Sequence, residues 1–155
     1  MSKQGETVAP SQAALILAAV EHQRAGRSAE AADLCRQARE RDPDQLQALM
    51  LLGLITAGGA DLAAAEALFA RCLALVPEDP DALHNLGRLR QRRGDDVSAI
   101  ALFERAAVGK PGLAPIFNDL GVSLHRLGRR KAALLAVERA LAIDAGFMIA
   151  HCNHG

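Results

Sequence analysis

A fixed step of 34 residues runs through the chain and constrains its fold more than any other feature. Pro43, Pro77 and Pro111 stand on that step, as do Ala31, Ala65, Ala99 and Ala133, and Gly53, Gly87, Gly121 and Gly155. The clearest copy, residues 80–113, reads PDALHNLGRLRQRRGDDVSAIALFERAAVGKPGL: two amphipathic helical stretches joined at a glycine. The proline that opens the next linker cannot continue a helix, because it lacks an amide proton and its ring crowds the preceding turn. A hairpin of this size cannot bury both its apolar faces alone. Tandem copies therefore predict a stack in which neighbours supply the core.

In chain order, residues 1–11 read as a disordered lead-in that ends at Ser11, a helix N-cap. Four repeats follow at 12–45, 46–79, 80–113 and 114–147, and residues 148–155 read as the start of a truncated fifth. Turns are expected at Ala25-Gly26, Gly58-Gly59, Gly94-Asp95 and Gly128, with Asp61 and Asp79 as caps. The chain is 50% hydrophobic and lacks Trp and Tyr, a mixture that favours helix over sheet.

A formal net charge of zero gives no bulk attraction to nucleic acid or to an anionic membrane, so neither is expected as a partner. The most apolar run, Leu46 to Ala57, is too short to span a bilayer. Met1 to Ser11 lacks the apolar core of a signal peptide. Cys35, Cys72 and Cys152 are odd in number and match no metal-ligand spacing, which points to a reducing, cytoplasmic location.

Several columns agree in register. Leu49/Leu52/Gly53, Leu83/Leu86/Gly87 and Phe117/Leu120/Gly121 share one spacing, with Leu15/Ala18/Ala19 in the first repeat. Cys35, Phe69, Phe103 and Val137 form a second column, and Ala38, Cys72, Ala106 and Ala140 a third. On these residues the chain resembles the tetratricopeptide repeat family from Gln12 onward. It departs from the family pattern in having no Trp, and in carrying His22, Thr56, Arg90 and Leu124 where an aromatic is usual.

The resemblance implies an all-α, right-handed α-solenoid of tandem helix-turn-helix repeats whose first helices line a concave groove. The groove columns hold Ala13, Ile16, Leu17, Val20 and Gln23 in repeat one, and Gln47, Met50, Leu51, Leu54 and Ala57 in repeat two. They hold Asp81, His84, Asn85, Arg88 and Gln91 in repeat three, Pro115, Asn118, Asp119, Val122 and His125 in repeat four, and Ile149, Cys152 and Asn153 in the fragment. The expected function is a scaffold that binds a peptide or protein segment there. The apolar N-terminal half suits an amphipathic helix or a neighbouring subunit, and the polar half from His84 onward an extended peptide.

Asn85 and Asn153 fall in the column that forms an asparagine ladder in O-linked N-acetylglucosamine transferases, with Asp119 interrupting it. The resemblance therefore leaves open a substrate-presenting arm of a larger enzyme such as a glycosyltransferase. The family's carboxylate clamp is not expected, because Ile16 and Val20 occupy its Lys and Asn sites. His151 and His154 are three apart but stand in core columns, so no metal or other cofactor is expected. The cations at Arg88, Arg90, Arg92 and Arg93, and at Arg126, Arg129, Arg130 and Lys131, read as answers to helix C-termini and as solvated edges. An anionic segment of a protein partner is their other use.

No catalytic constellation stands out, and no enzymatic activity is expected. The unpaired half-repeat with Phe147, Met148 and Ile149 raises a third reading, a self-assembling module that forms a homodimer through an uncapped C-terminal end.

Overall fold

A computed structural model describes residues 10–146. Eight helices occupy them: α1 (Gln12–Arg24), α2 (Ser28–Arg41), α3 (Leu46–Ala57), α4 (Leu62–Leu75), α5 (Pro80–Arg92), α6 (Asp96–Gly109), α7 (Ala114–Arg126) and α8 (Arg130–Ile143). They form four antiparallel hairpins stacked in series, the right-handed α-solenoid that the resemblance implies. Residues 1–9 and 147–155 lie outside the described residues, and with them the expected disordered lead-in, the fifth repeat and the homodimer contact through Phe147 and Ile149.

The helix starts follow from local chemistry. Ser11, Gln45 and Asp79 share one column and accept from the backbone amides of Ala14, Ala48 and Ala82, at 3.2, 2.6 and 2.8 Å. Each removes one of the orphan donors of a first turn. In the fourth copy Leu113 offers no acceptor, and Pro115 in the first turn of α7 has no amide to satisfy. Asp61 and Asp95 cap α4 and α6 in the same way.

The hairpin turns show where one substitution changes the backbone. Gly26, Gly94 and Gly128 stand on the repeat step with φ of +76°, +79° and +73°. Each is followed by a residue whose amide reaches back five positions: Arg27 to His22, Asp95 to Arg90 and Arg129 to Leu124, all at 2.9 Å. This is the Schellman closure, which needs a left-handed residue that glycine adopts without steric cost. In the second hairpin that column holds Ala60. The expected turn glycines, Gly58 and Gly59, have no positive φ, and α3 ends early at Ala57. There Gly58 and Gly59 donate to Ile55 and Thr56 at 3.2 and 3.0 Å instead.

Packing within a hairpin turns on a second glycine column. A Cβ built on Gly53 would lie 2.7 Å from the Phe69 ring, one on Gly87 2.5 Å from Phe103, and one on Gly121 2.9 Å from Val137. In the first repeat the pair is Ala19 and Cys35, both fully buried, and the smaller thiol leaves room for the extra methyl. Burial pushes the Cys35 and Cys72 thiols up to about 11, so both behave as small apolar side chains.

Packing between hairpins supplies the rest of the core. One cluster joins Leu83, Ile100 and Phe103 of the third hairpin to Ile116, Leu120 and Leu124 of the fourth. Bidentate ion pairs tie the first two linkers to the hairpins that follow them: Arg71 to Asp44 at 2.7 and 2.5 Å, and Arg105 to Glu78 at 3.4 and 2.6 Å, on the same step. No described helix is long and apolar enough to cross a membrane.

These glycines separate by their roles. Gly94→Ala forces a side chain into the left-handed region and should cost about 1–2 kcal/mol. Gly87→Ala overpacks the Phe103 contact by roughly 1–3 kcal/mol. Gly59→Ala should stay within about 0.5 kcal/mol of wild type. Urea unfolding midpoints measure all three, and equal losses at Gly94 and Gly59 would contradict the turn assignment.

Hydrogen bonds from Arg71 to Asp44, and from the Ser98 hydroxyl and amide to Asp95, hold both carboxyls below the ordinary carboxylate range. A depressed carboxyl contributes stability above its unfolded value, and that stability is lost as pH falls through the folded one. Asp44→Asn/Asp95→Asn protein should therefore lose less stability than wild type between neutral pH and pH values below about 4. Denaturant titrations at a series of pH values report this as a shallower slope.

Candidate peptide-binding groove

The first helices of successive hairpins touch along one layer, α1 with α3, α3 with α5 and α5 with α7, whereas the second helices splay apart on the outside. That asymmetry makes the first-helix layer the inner wall. On it, two depressions lie between α3 and α5 and share Leu54. One, of about 350 Å³, is lined by Leu54, Ala57, Gly58, Asn85, Arg88, Leu89 and Arg92. The other, of about 260 Å³, is lined by Leu46, Gln47, Met50, Leu51, Leu54, Asp79 and Asp81. Neither receives a side chain from a second helix. Leu54 is 41% exposed and Leu17, in the first repeat, 63%.

The polar half of the wall is built differently from its sequence. Asp119 sits at the centre of a network: His84 Nε2 approaches its Oδ2 at 2.8 Å, Asn118 Nδ2 donates to its Oδ1 at 3.3 Å, and Arg88 Nε lies 3.8 Å away. Gln91 donates to the Asp119 carbonyl at 3.0 Å and to the Ser123 hydroxyl at 2.8 Å. Asn118 is only 4% exposed and His84 is buried with its ring edge against Phe103. His84 and Gln91 thereby bind α5 to α7, and Asn118 braces Asp119 within α7. Asn85 donates to the Asp81 carbonyl of its own helix at 2.8 Å. The groove columns thus divide: Gln47, Met50, Leu54, Asp81, Asn85 and Arg88 line the trough, whereas Gln91 is engaged with α7 and His84 and Asn118 lie behind it.

Val122 and His125 belong to a separate depression with Arg126, Arg130, Leu134 and Val137, at the end of the described stack. Asn153 lies outside the described residues, so only Asn85 and Asp119 of the asparagine column are in view.

The arginine run has specific partners that its sequence does not announce. Arg90 and Arg93 both pair with Glu66 of the preceding hairpin. Arg92 and Arg126 share a column and make the same contact one repeat apart. Arg92 donates to the Ala57 carbonyl at the end of α3, and Arg126 to the Gln91 carbonyl of α5 at 3.3 Å. Each satisfies a terminal carbonyl of the previous first helix. Among the described residues no group of three His, Cys, Asp or Glu side chains is placed to hold a metal ion.

The Asp119 network is structural on this geometry. Asp119→Ala should lower unfolding stability by roughly 1–3 kcal/mol, because the buried His84 and Asn118 side chains then lose their acceptor. A urea midpoint equal to wild type would contradict the network.

Two tetratricopeptide-repeat family models match the chain, over residues 16–80 and 82–114. A comparison with curated proteins finds no match. Among solved structures, a crystal structure of MamA superposes with a TM-score of 0.78 at 21% identity, covering 87% of this chain and 79% of that one. The MamA RS-1 ArsTM double mutant gives 0.77 at 16% identity, covering 87% and 76%. TTC0263, a thermophilic TPR protein of Thermus thermophilus, gives 0.74 at 20% identity, covering 87% and 75%. At such identities the likeness speaks for the fold, and it agrees with the family match and the register. The chain belongs to the tetratricopeptide repeat family.

Proposed function

We propose that the chain is a non-catalytic protein–protein interaction scaffold that holds a peptide or protein segment in the trough along its first helices. The observation that carries this reading is Leu54. It stands on the inner wall, stays 41% exposed there, and joins two depressions between α3 and α5. Tetratricopeptide-repeat proteins generally mediate protein–protein interaction, which supports the same conclusion. Met50 and Leu51 continue the apolar floor, Gln47 and Asp81 stand at one edge, and Arg88 at the other. The polar wall from Gln91 onward orders α5 against α7 and so fixes the shape of the trough.

An array of short overlapping peptides, with hits re-measured by fluorescence anisotropy, tests the reading. Leu54→Glu should weaken capture by about ten-fold or more, the loss expected when an apolar anchor is replaced by a charge. Val108→Glu, on an 84% exposed position of α6 away from the trough, should leave it unchanged. Capture that survives Leu54→Glu, or that is lost equally in both variants, would contradict a groove function.

A further inference from the structure

The two edges of the trough differ in how their charges are spent, and that difference selects a ligand. On the edge formed by the starts of the first helices, carboxylates have cations of their own. Asp44 is held by Arg71, Glu78 by Arg105, and Asp81 by Lys110 Nζ at 2.7 Å to each oxygen. Asp79, which lines the same depression, is the exception: it accepts from the Ala82 amide and has no cation of its own, so this edge is acidic on balance.

The opposite edge, at the ends of the first helices, carries two arginines, of which only Arg88 has a carboxylate within ion-pair distance. Arg88 is 58% exposed, and its one carboxylate neighbour, Asp119, stands 3.8 Å away and is already engaged by His84 at 2.8 Å. Arg92 spends its hydrogen bonds on the Ala57 and Gly59 carbonyls, which are neutral acceptors. Both guanidiniums line the same depression as Leu54 and Leu89. An apolar floor with one cationic rim and one acidic rim is complementary to a segment with an apolar stripe and acidic side chains along only one flank.

We infer that the trough takes an acidic amphipathic helix, its apolar stripe on Leu54 and Met50 and its carboxylates turned to Arg88 and Arg92. The inference rests on the groove reading above and deepens it. Because the whole chain has no formal net charge, a preference for acidic ligands would arise from this edge and not from long-range attraction. Arg88 is the cation to change, since Arg92 also closes the end of α3.

The test uses two helical peptides of about five turns with the same leucine stripe, one with Glu along a single flank and one with Gln in their place. At low ionic strength the wild-type chain should bind the Glu peptide about ten-fold or more tightly than the Gln peptide, and high salt should erase most of that advantage. Arg88→Glu should abolish the preference while leaving the Gln peptide within about two-fold of its wild-type affinity. Lys131→Glu, at a cationic turn away from the trough, should leave the preference intact.

Equal affinity of the two peptides for wild type, or a preference that outlives Arg88→Glu, overturns the acidic-flank assignment and leaves the groove reading standing. Failure of both peptides to bind, or binding that ignores Leu54→Glu, overturns the groove reading itself.

Discussion

No hairpin in this chain covers its own apolar faces, and the remaining features follow from how neighbours cover them. The column shared by Ile100 and Leu134 makes the point directly. Ile100, with a fourth hairpin stacked on it, is 5% exposed, whereas Leu134, at the end of the described stack, is 60% exposed. The same register position is core or surface according to what stands beside it. Within a hairpin the closest approach is set by volume: glycine faces phenylalanine twice, glycine faces valine once, and alanine faces cysteine once. What is held constant along the chain is the space between the helices, and the residue types vary to fill it.

Stacking in series also decides where charge is used. Glu66 is gripped by two arginines of the next hairpin, and Arg92 and Arg126 cap carbonyls of the hairpin before. These contacts lie at the junctions, where they fix the angle between neighbours more than they add stability, since exposed pairs contribute little each. A fixed angle is what gives the inner wall a definite curvature. The proposed recognition would then depend on side chains the junctions leave open to the trough, chiefly Leu54 and Arg88.

The fold was legible because its signals are local and repeated. Prolines, caps and glycines on one step announce the helices without any knowledge of tertiary structure. The limits were equally physical. Ala60 breaks the turn column, and the neighbouring Gly58-Gly59 pair looks like a turn glycine out of register; only the backbone shows that the left-handed closure is missing there. His84 and Asn118 stand in groove columns, yet both turn to Asp119, a half-buried acceptor adjacent to Asn118 in α7 and 35 residues from His84. A column assigns a side chain to a face, but partners decide whether it reaches solvent. The arginine run showed the same limit, since its acceptors are carbonyls and a glutamate of the preceding repeat.

If neighbour coverage is the source of stability, opening should be cheapest at the ends and most costly where both faces of a hairpin are covered. Native-state hydrogen exchange followed amide by amide measures this directly. The expected pattern is strongest protection in α4, α5 and α6, falling through α3 and α7 to α1, α2 and α8. Uniform protection across all the described helices, or a maximum in α1 or α8, would show that the hairpins do not depend on their neighbours in this way.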